Sequence, residues 1–583
     1  MKKANKLMIA AVLAVAALPT VALAADDLQA RLDKLTQQMD DLKGQVQQIQ
    51  DKSLGKWLSI GGSYQFRMDS LHGQVLGYND AMGAFNYLGK NALADFTVIN
   101  AANPTSSGLF TGTVGYNLSM AADMMKNVTN YQQANAVYLR MQTLLRTMYG
   151  DVAGAYLLTP SGYPVTNPDK TMAIPAYKPQ NETMYTNKFA LDLHAKATKD
   201  VTVNVKLGMY KVFGAQDDKA VDGNAYFADR VGVFDGVLGH VPSNSYLNVD
   251  RAYATWSNIM EQPVWFSVGR RPATDGAPTN LKSNNERPGN GGTPALLVNY
   301  AFDGMTLGYA PDIDMLPGFY AKVCYGRGFD SGFRQTPTNS LKDTDMLGVA
   351  VIPVDTDPLR VWFQWNRGFN IFDFPVMNNT AFGNTAPSTN LGSIDWYGLG
   401  AMSTLKKVGP GDLNFFVDGG LSVTHPTQAV SGQAMFQGLL TGAPFSPEAP
   451  TDKTGYAVFA GVRYDLPSKT KLGFEYNYGS KNWITFSPAA DDMWTSKVGT
   501  RGHVFEPYVI QELDLKPISS FFSKTFFKLG YQYYDFEYTG SNNWVGAPIK
   551  MSDVAAYTAN GGMLMQAPVS KAHDIYGTFE VHF

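Results

Sequence analysis

Cysteine is almost absent from this sequence, and charged residues are scarce. The 583 residues include one cysteine, Cys324, so an intrachain disulfide cannot form. A C-x-x-C-H haem attachment motif needs two cysteines and is excluded for the same reason. Charged side chains make up 17% of the chain, against about 25% in ordinary soluble proteins. The composition therefore excludes a disulfide scaffold, a c-type cytochrome and a highly charged disordered tail.

Long apolar runs are missing as well. The mean hydropathy is -0.17, and only the first residues contain a long continuous apolar stretch. A bundle of membrane helices is excluded, because each crossing helix needs about 20 consecutive apolar residues. The abundant residues are glycine (56), phenylalanine (33) and tyrosine (31), which indicates a large β-structure with many turns.

The N-terminus has the three parts of an export signal. Its positively charged start contains Lys2, Lys3 and Lys6. An apolar core follows at 7–18, and Ala-Leu-Ala at 22–24 supplies a small-x-small cleavage pattern. An uncleaved anchor is the alternative, but the apolar run is shorter than the roughly 20 residues that span a bilayer. We therefore predict a signal peptide at 1–24, removed before Ala25.

A heptad pattern follows the signal. Apolar residues are spaced alternately four and three positions apart: Leu28, Leu32, Leu35, Met39, Leu42, Val46 and Ile49. This spacing predicts a short coiled-coil helix at 25–55. A lone helix of this length is marginal in water and leaves one apolar stripe exposed. We therefore expect self-association through this seam. The alternative is that the helix packs on the barrel formed by the rest of its own chain, or plugs the mouth of that barrel.

From Trp57 to the end of the chain, apolar and polar residues alternate in one segment after another. The first segment shows the pattern in its apolar positions: Leu58, Ile60, Gly62, Tyr64, Phe66 and Met68. A period of two gives a β-strand one apolar and one polar face. Sixteen such segments occur, the last at 572–583. Aromatic residues near segment ends predict an interfacial girdle: Trp57, Tyr464, Tyr478 and Trp544.

The connections between these segments alternate between short and long. Some are tight turns: 199–200, 260–262 and 467–468. Others are long and polar: 70–187, 214–246, 272–299, 329–344, 369–392, 425–453, 481–503 and 539–571. This alternation is typical of bacterial outer-membrane barrels, which have short periplasmic turns and long external loops. A soluble sandwich has no reason to sort its loops by length in this way.

The C-terminal strand carries a further signal. Its apolar positions recur at every second residue and end on the terminal phenylalanine: Ile575, Gly577, Phe579, Val581 and Phe583. An amphipathic strand with a terminal Phe resembles the assembly signal of bacterial outer-membrane barrels. The alternative, a half-buried last strand of a soluble sheet, is disfavoured by the export signal.

These patterns predict an all-β fold. We expect a transmembrane antiparallel β-barrel of about 16 strands at 56–583, preceded by a short periplasmic coiled-coil helix. Closure is required because every backbone N–H and C=O in lipid needs a protein partner. An even number of strands puts both termini in the periplasm.

The first long connection, 70–187, stands out by its length. Connections this long are usually functional or disordered. Within it, apolar residues at near-helical spacing predict a helix in the region 121–149. Two roles stay open for this helix: it caps or enters the pore, or it is a surface lid without a regulatory role.

The alternation places several charged residues on the inner face of the predicted barrel. Candidates for lining a pore are Arg67, Lys206, Arg271, Lys322, Arg360, Asp418, Arg463, Glu475 and Lys528. Charges that face lipid cost about 2–4 kcal/mol at the membrane midplane, so these positions indicate an aqueous interior. Over all the inward positions of the predicted barrel the two signs of charge are nearly balanced, so the sequence favours neither anions nor cations. For any single residue, the alternative is a solvated wall.

Three motifs carry a family likeness: DRAYATW at 250–256, SVGRRP at 267–272 and DGMTLGY at 303–309. With the order of signal peptide, coiled-coil stub, sixteen segments and terminal Phe, they resemble the trimeric porin superfamily. The likeness is closer to uncharacterised porin-like outer-membrane proteins of Gram-negative metal-respiring bacteria. The first connection is unusually long for general porins. The resemblance implies a water-filled outer-membrane channel for small hydrophilic solutes or ions, assembled as a homotrimer through the seam at 28–49.

Motifs that carry catalytic or metal chemistry are not evident. The seven histidines show no H-x-x-x-H pair, and no glycine-rich phosphate loop follows a strand into a helix. We expect no catalytic residue, no metal site, no cofactor and no nucleic-acid partner. The expected partners are outer-membrane lipid, small solutes and further copies of the chain. The alternative function is a structural barrel partner of an envelope complex, either an electron-conduit sheath or a cell-wall tether.

Overall fold

The computed structural model describes residues 39, 57–81, 128–139, 173–214, 245–273, 275–288, 294–333, 341–375, 377–380, 383–487, 492–514 and 524–583. The predicted signal peptide at 1–24 lies outside these residues. So does the predicted coiled coil at 25–55, apart from Met39, which is helical and exposed. Both stay predictions.

Twenty strands occur in the described part of the chain: β1 (Leu58–Val75), β2 (Tyr78–Asn79), β3 (Ala173–Ile174), β4 (Gln180–Lys196), β5 (Val201–Val212), β6 (Asn248–Trp256), β7 (Val264–Ala273), β8 (Tyr300–Tyr309), β9 (Tyr320–Phe329), β10 (Thr344–Asp355), β11 (Arg360–Phe372), β12 (Met377–Thr380), β13 (Gly383–Thr385), β14 (Asn390–Val408), β15 (Gly411–Pro426), β16 (Thr454–Asp465), β17 (Thr470–Gly479), β18 (Gly502–Glu512), β19 (Lys524–Phe536) and β20 (Val569–His582). A short helix, α1, spans Val554–Ala559. Within the same ranges, no helix is long and apolar enough to cross a membrane.

Sixteen of these strands close into one antiparallel barrel. Each barrel strand pairs with the next barrel strand along the chain, and β1 pairs with β20, with Met68 opposite Gly577. The other four strands form two small sheets, β2–β3 and β12–β13, within long connections. The predicted sixteen-stranded barrel is confirmed, because alternation and short turns are local features that specify strands and their pairing.

The strand β15 shows how the two faces of the wall differ. Phe415, Val417 and Leu421 are 41%, 53% and 47% exposed, whereas the alternate residues Phe416 and Asp418 are 3% and 0% exposed. Exposed apolar residues continue around the wall: Leu307, Val323, Phe363, Leu399, Val458, Phe474, Val509 and Leu529. An apolar outer surface of this extent is typical of a barrel that faces lipid.

Aromatic rings form a belt on the outer face of β16–β20, near the strand ends that carry the long connections. The ring pairs and their centroid distances are Tyr456–Tyr478 (6.0 Å), Tyr478–His503 (4.8 Å), Phe505–Tyr533 (6.3 Å) and Tyr533–His573 (4.9 Å). The prediction that Trp544 belongs to the girdle was wrong. Trp544 is 1% exposed, and its Nε1 donates to the carbonyl oxygen of Phe372 at 2.9 Å.

The first connection is shorter than predicted. β1 continues to Val75 and β4 begins at Gln180, so the connection spans 76–179 rather than 70–187. The alternation simply extends further at both ends, with Leu71 and Val75 buried on the inner face of β1. Inside the connection, β2 and β3 pair through Tyr78 and Ile174.

Several long connections fold against the inner face of the barrel, not outside it as the sequence suggested. In the described ranges they contribute these buried apolar side chains: Leu281, Leu296, Leu297, Leu439, Leu440, Trp483, Ile484, Trp544 and Val545. These side chains pack against inward wall residues: Met346, Trp362, Trp396, Phe416 and Phe459. The physical reason is that each large apolar side chain gains about 1.5–3 kcal/mol by leaving water.

Candidate functional site

The connection between β7 and β8 crosses the barrel interior, and we call its residues 275–288 the crossing segment. Wall cations on distant strands donate to it: Arg463 Nη1 to Leu281 O (2.6 Å), Lys528 Nζ to Lys282 O (3.3 Å), Lys524 Nζ to Asn284 O (3.3 Å) and Lys471 Nζ to Asn284 Oδ1 (2.5 Å). These cations belong to β16, β17 and β19, which lie across the closed sheet from β7 and β8. The crossing segment therefore divides the interior.

One carboxylate of the wall and one of the connection between β17 and β18 hold the crossing segment by ion pairs. Lys282 Nζ lies 2.5 Å from Glu506 Oε1 on β18 and 3.7 Å from Asp492 Oδ1. Lys497, from the connection between β17 and β18, reaches the other oxygen of Glu506 at 2.5 Å and also contacts Glu475 on β17. Glu506 thus pairs with a cation from each of two connections.

Lys497 keeps its charge in this network. Burial opposes the ionisation of its ammonium group, but the carboxylates of Glu475, Glu506 and Asp492 outweigh burial and raise its pKa well above the ordinary 10.5. The buried cations and carboxylates of this network therefore neutralise each other, which is the condition for burying them.

The first and last strands are joined by charge as well as by backbone pairing. Arg67 on β1 lies 2.6 Å from Asp69 Oδ1 and 2.9 Å from Asp574 Oδ2 on β20. The Arg67 guanidinium also lies 4.4 Å from the ring centroid of Tyr576. These contacts reinforce the seam at which the barrel closes.

Arg501 fastens two of the inward-folded connections to each other. It is 1% exposed and donates to carbonyl oxygens alone in the described residues. Its acceptors are Trp483 O (3.1 Å), Thr539 O (3.2 Å), Gly540 O (2.7 Å) and Asn543 O (2.5 Å). Since Trp483 precedes β18 and the other three follow β19, one side chain ties both connections.

Seven of the nine predicted pore-lining residues are buried on the inner face: Arg67, Arg271, Lys322, Asp418, Arg463, Glu475 and Lys528. Asp418 accepts a hydrogen bond from Trp362 Nε1 at 3.3 Å. Arg360 is partly buried and pairs with Asp355 at 2.5 Å. Lys206 is partly exposed. Alternation thus placed these residues on the inner face, and their role in lining a pore stays a prediction.

One sector of the inner face stays accessible. Asp192 and Lys196 on β4 are exposed, while His194 on β4 and the β5 residues Asn204 and Lys206 are partly exposed. We call these five residues the accessible wall. Their register places Asp192 opposite Lys206, and His194 Nδ1 lies 2.5 Å from Asn204 Oδ1.

The accessible wall borders the crossing segment. Its face is the inner one, because Tyr210 on the same face of β5 is 1% exposed. In the neighbouring strand, Arg251 stands opposite Lys206, and its Nη2 lies 2.7 Å from Oδ2 of Asp275 in the crossing segment. Charged groups of both signs therefore flank the space between the segment and this wall.

The predicted helix in 121–149 is helical over 131–139 in the described residues. Val128, Ala134 and Val137 pack against Val430 and Phe436 of the connection between β15 and β16. The first connection therefore docks on a connection that also folds against the barrel interior. Its role as a cap or a lid stays open.

Sequence reasoning missed Lys282, Lys497 and Arg501, which hold the interior connections in place. Single cations in irregular segments have no period that marks them. The apolar runs beside them were a usable signal: Leu296-Leu297-Val298 and Trp483-Ile484 lie in segments that were assigned to external loops. Apolar side chains in such numbers indicate burial.

Comparison with known families gives one match. Residues 178–583 match the model of a family described as "Protein of unknown function (DUF3373)". No curated protein matches the chain.

Solved barrels resemble the fold at low identity. OprB of Pseudomonas putida is 11% identical with a TM-score of 0.37, covering 93% of this chain and 97% of that chain. The outer membrane channel DcaP of Acinetobacter baumannii is 10% identical with a TM-score of 0.32, covering 90% and 98%. An anion-selective porin from Comamonas acidovorans is 11% identical with a TM-score of 0.32, covering 69% and 93%. Because these likenesses are distant, we infer function from the chain's own geometry.

Proposed function

The chain belongs to the DUF3373 family, and we propose that its barrel is an outer-membrane porin. Small hydrophilic solutes or ions would pass along the accessible wall, between it and the crossing segment. The observation that carries this proposal is the contrast within the inner face: β4 and β5 keep charged side chains accessible, while most of the other inward charges are buried beneath connections.

The polarity of the accessible wall suits permeation of polar solutes. Asp192 and Lys206 are paired on adjacent strands, so a negative and a positive side chain lie side by side on the wall. Charged and hydrogen-bonding side chains on a pore wall replace part of the hydration shell of a passing solute. An apolar wall would instead oppose the entry of ions.

The outer surface supports placement in the outer membrane. Its apolar rows and aromatic belt match the band and girdle that such barrels present to lipid. The signal peptide at 1–24 would direct export, and the helix at 25–55 would lie in the periplasm. Its apolar seam would join three copies of the chain.

A sheath around a cytochrome is less well supported. The connections that carry Leu297, Trp483 and Trp544 pack against the inner face between β8 and β16. A folded haem protein would need that same space. We therefore favour solute permeation.

Single-channel recording tests the proposal. Purified full-length protein is inserted into planar bilayers, and reversal potentials are measured in a salt gradient. We expect stepwise conductance, and Lys206→Glu should shift the reversal potential towards cation selectivity, because it removes a positive charge from the path and adds a negative one.

Lys469→Glu provides the matched charge reversal. Lys469 lies in the short turn between β16 and β17, paired with Asp514 at 2.7 Å, and away from the accessible wall. The reversal potential of the Lys469→Glu variant should equal that of the wild type. A folded barrel that passes no current would overturn the porin proposal, and equal shifts in both variants would overturn the path along β4 and β5.

A further inference from the structure

The inner wall between β7 and β11 holds a small pocket of about 60 Å³. Its polar lining includes Arg271, Thr306, Lys322, Cys324, Gln364 and Asn366. Both charged residues are cations, and no carboxylate belongs to the lining that the described residues provide. The remaining lining is mainly apolar, so the positive charge of the pocket is only weakly screened.

Arg271 is built into this pocket with unused donors. It is 9% exposed, and its Nε and Nη1 have no hydrogen-bond partner among the described residues. Its guanidinium lies 5.5 Å from the ring centroid of Trp265 and 5.7 Å from that of Tyr253. These rings fix the guanidinium but do not accept its in-plane N–H groups, and buried donors without acceptors are costly.

A pair of amides adds to the unused groups. Gln364 Nε2 donates to Asn366 Oδ1 at 3.0 Å, which leaves Asn366 Nδ2 and Gln364 Oε1 without partners in the described residues. Exchanging both amide orientations would still leave one N–H and one oxygen for the pocket. Gly348 makes room for this pair, since a Cβ there would lie 2.5 Å from Asn366 Oδ1.

Lys322 supplies a second positive charge. It is 5% exposed and lies on the same inward face of β9 as Cys324, while Val323 between them is 48% exposed on the outer face. Arg271 and Lys322 therefore place two positive charges in the lining of one pocket.

We propose that this pocket binds a small oxyanion, with inorganic phosphate as the probe. Arg271 donates through Nε and Nη1, Asn366 donates through its amide, and Lys322 provides charge. The amide oxygen left over accepts the O–H of a hydrogen phosphate ion. Binding of this kind gives acceptors to the unpartnered donors of Arg271 and Asn366. The site goes beyond the proposed porin function, because it does not require the barrel to conduct.

Cys324 allows anion binding in this pocket to be measured by chemical modification. It is the chain's single cysteine, it is partly exposed, and it lines the pocket. Purified full-length barrel in detergent is treated with two methanethiosulfonate reagents of similar size, one with a sulfonate and one with a quaternary ammonium group. At low salt we expect the anionic reagent to modify Cys324 about tenfold faster, because the pocket concentrates anions.

Phosphate should protect Cys324 from the anionic reagent. Potassium chloride at the same ionic strength should protect much less, which separates oxyanion binding from screening. Arg271→Gln should abolish both the preference for the anionic reagent and the protection. Arg271→Lys should keep part of the preference and lose protection, because an ammonium group does not reproduce the fork of a guanidinium.

Arg287→Gln is the matched control, since Arg287 is exposed on the crossing segment and lies outside the pocket lining. It should leave both readouts unchanged. Heat-modifiable mobility on gels checks that each variant is folded. Equal rates for the two reagents, no reaction with either, or equal protection by phosphate and chloride would each overturn the anion site. A barrel that fails to conduct but shows phosphate protection would overturn the porin proposal and keep this one.

Discussion

Lys282 and Glu506 form an ion pair of 2.5 Å across the barrel interior, between the crossing segment and β18. Glu506 is fully buried, and Tyr576 on β20 donates to the same carboxylate oxygen at 2.8 Å. The segment is therefore fixed at its middle and not only where it leaves β7 and joins β8. If solutes pass beside the crossing segment as proposed, this contact sets the position of one side of their path.

Lys282→Met should loosen the crossing segment and widen the passage. Methionine keeps most of the side-chain volume but removes the charge that Glu506 and Asp492 face. Because Glu506 keeps Lys497 as a partner, we expect a loss of about 1–3 kcal/mol in the free energy of unfolding, not the larger cost of an unpaired buried charge. Single-channel current should rise, and urea unfolding measures the stability.

The control for this change is Arg287→Gln, on the same segment. Arg287 is exposed and pairs with the exposed Asp357 at 3.3 Å, a contact of the surface kind. Its current and stability should match the wild type. If Lys282→Met has the wild-type current, the ion pair does not set the width of the passage.

Arg501→Lys should detach two connections from each other. A lysine at 501 keeps the charge, but one ammonium group cannot reach the four carbonyl oxygens that the guanidinium joins. We expect a loss of about 3 kcal/mol in the free energy of unfolding, because buried carbonyl groups lose charged donors. Limited proteolysis should also cut faster between β19 and β20.

Lys481→Ala serves as the comparison, since Lys481 is exposed in one of the same connections. It should change neither stability nor the rate of cleavage. Equal stability of Arg501→Lys and wild type would mean that the four hydrogen bonds do not hold the connections.

The wall of this barrel could be predicted from sequence, whereas its interior could not. Strands such as β15 follow from alternation within a few neighbouring residues, and the sixteen segments give the closed sheet directly. Lys282 and Glu506 are separated by more than 200 residues, and no local pattern links them. The apolar runs at 296–298 and 483–484 indicate that these residues are buried, but they do not indicate which strand they pack against. Contacts between residues far apart in the sequence determine where these connections lie.

The stability contributed by Lys497 should depend on pH in the alkaline range. Its pKa in the folded barrel lies above the ordinary 10.5, so the charged form is favoured by folding. That contribution is fully present below about pH 10.5 and is lost as pH rises through the folded pKa. The difference in unfolding free energy between wild type and Lys497→Met should therefore be constant between about pH 7 and pH 10 and shrink above that.

Lys469→Met tests whether the alkaline effect is specific. Lys469 is exposed in a short turn, so its contribution should be small at every pH. A difference for Lys497→Met that stays constant into strong alkali would show that its charge does not stabilise the fold.

Trp483 and Gly420 should be energetically coupled. Trp483 lies fully buried against the wall, its Nε1 donates to Val498 O at 2.7 Å, and a Cβ on Gly420 would lie 2.7 Å from its ring. Gly420→Ala should cost about 1–3 kcal/mol through crowding. Trp483→Ala should cost about 3–5 kcal/mol through the cavity that it leaves. In the double variant the new methyl group enters vacated space, so the combined loss should be smaller than the sum.

Urea unfolding of the four proteins measures this coupling, and strictly additive losses would mean that the two residues are not in contact. Such coupling would show that the connection before β18 is packed to the wall as tightly as a protein core, which leaves solutes the side of β4 and β5.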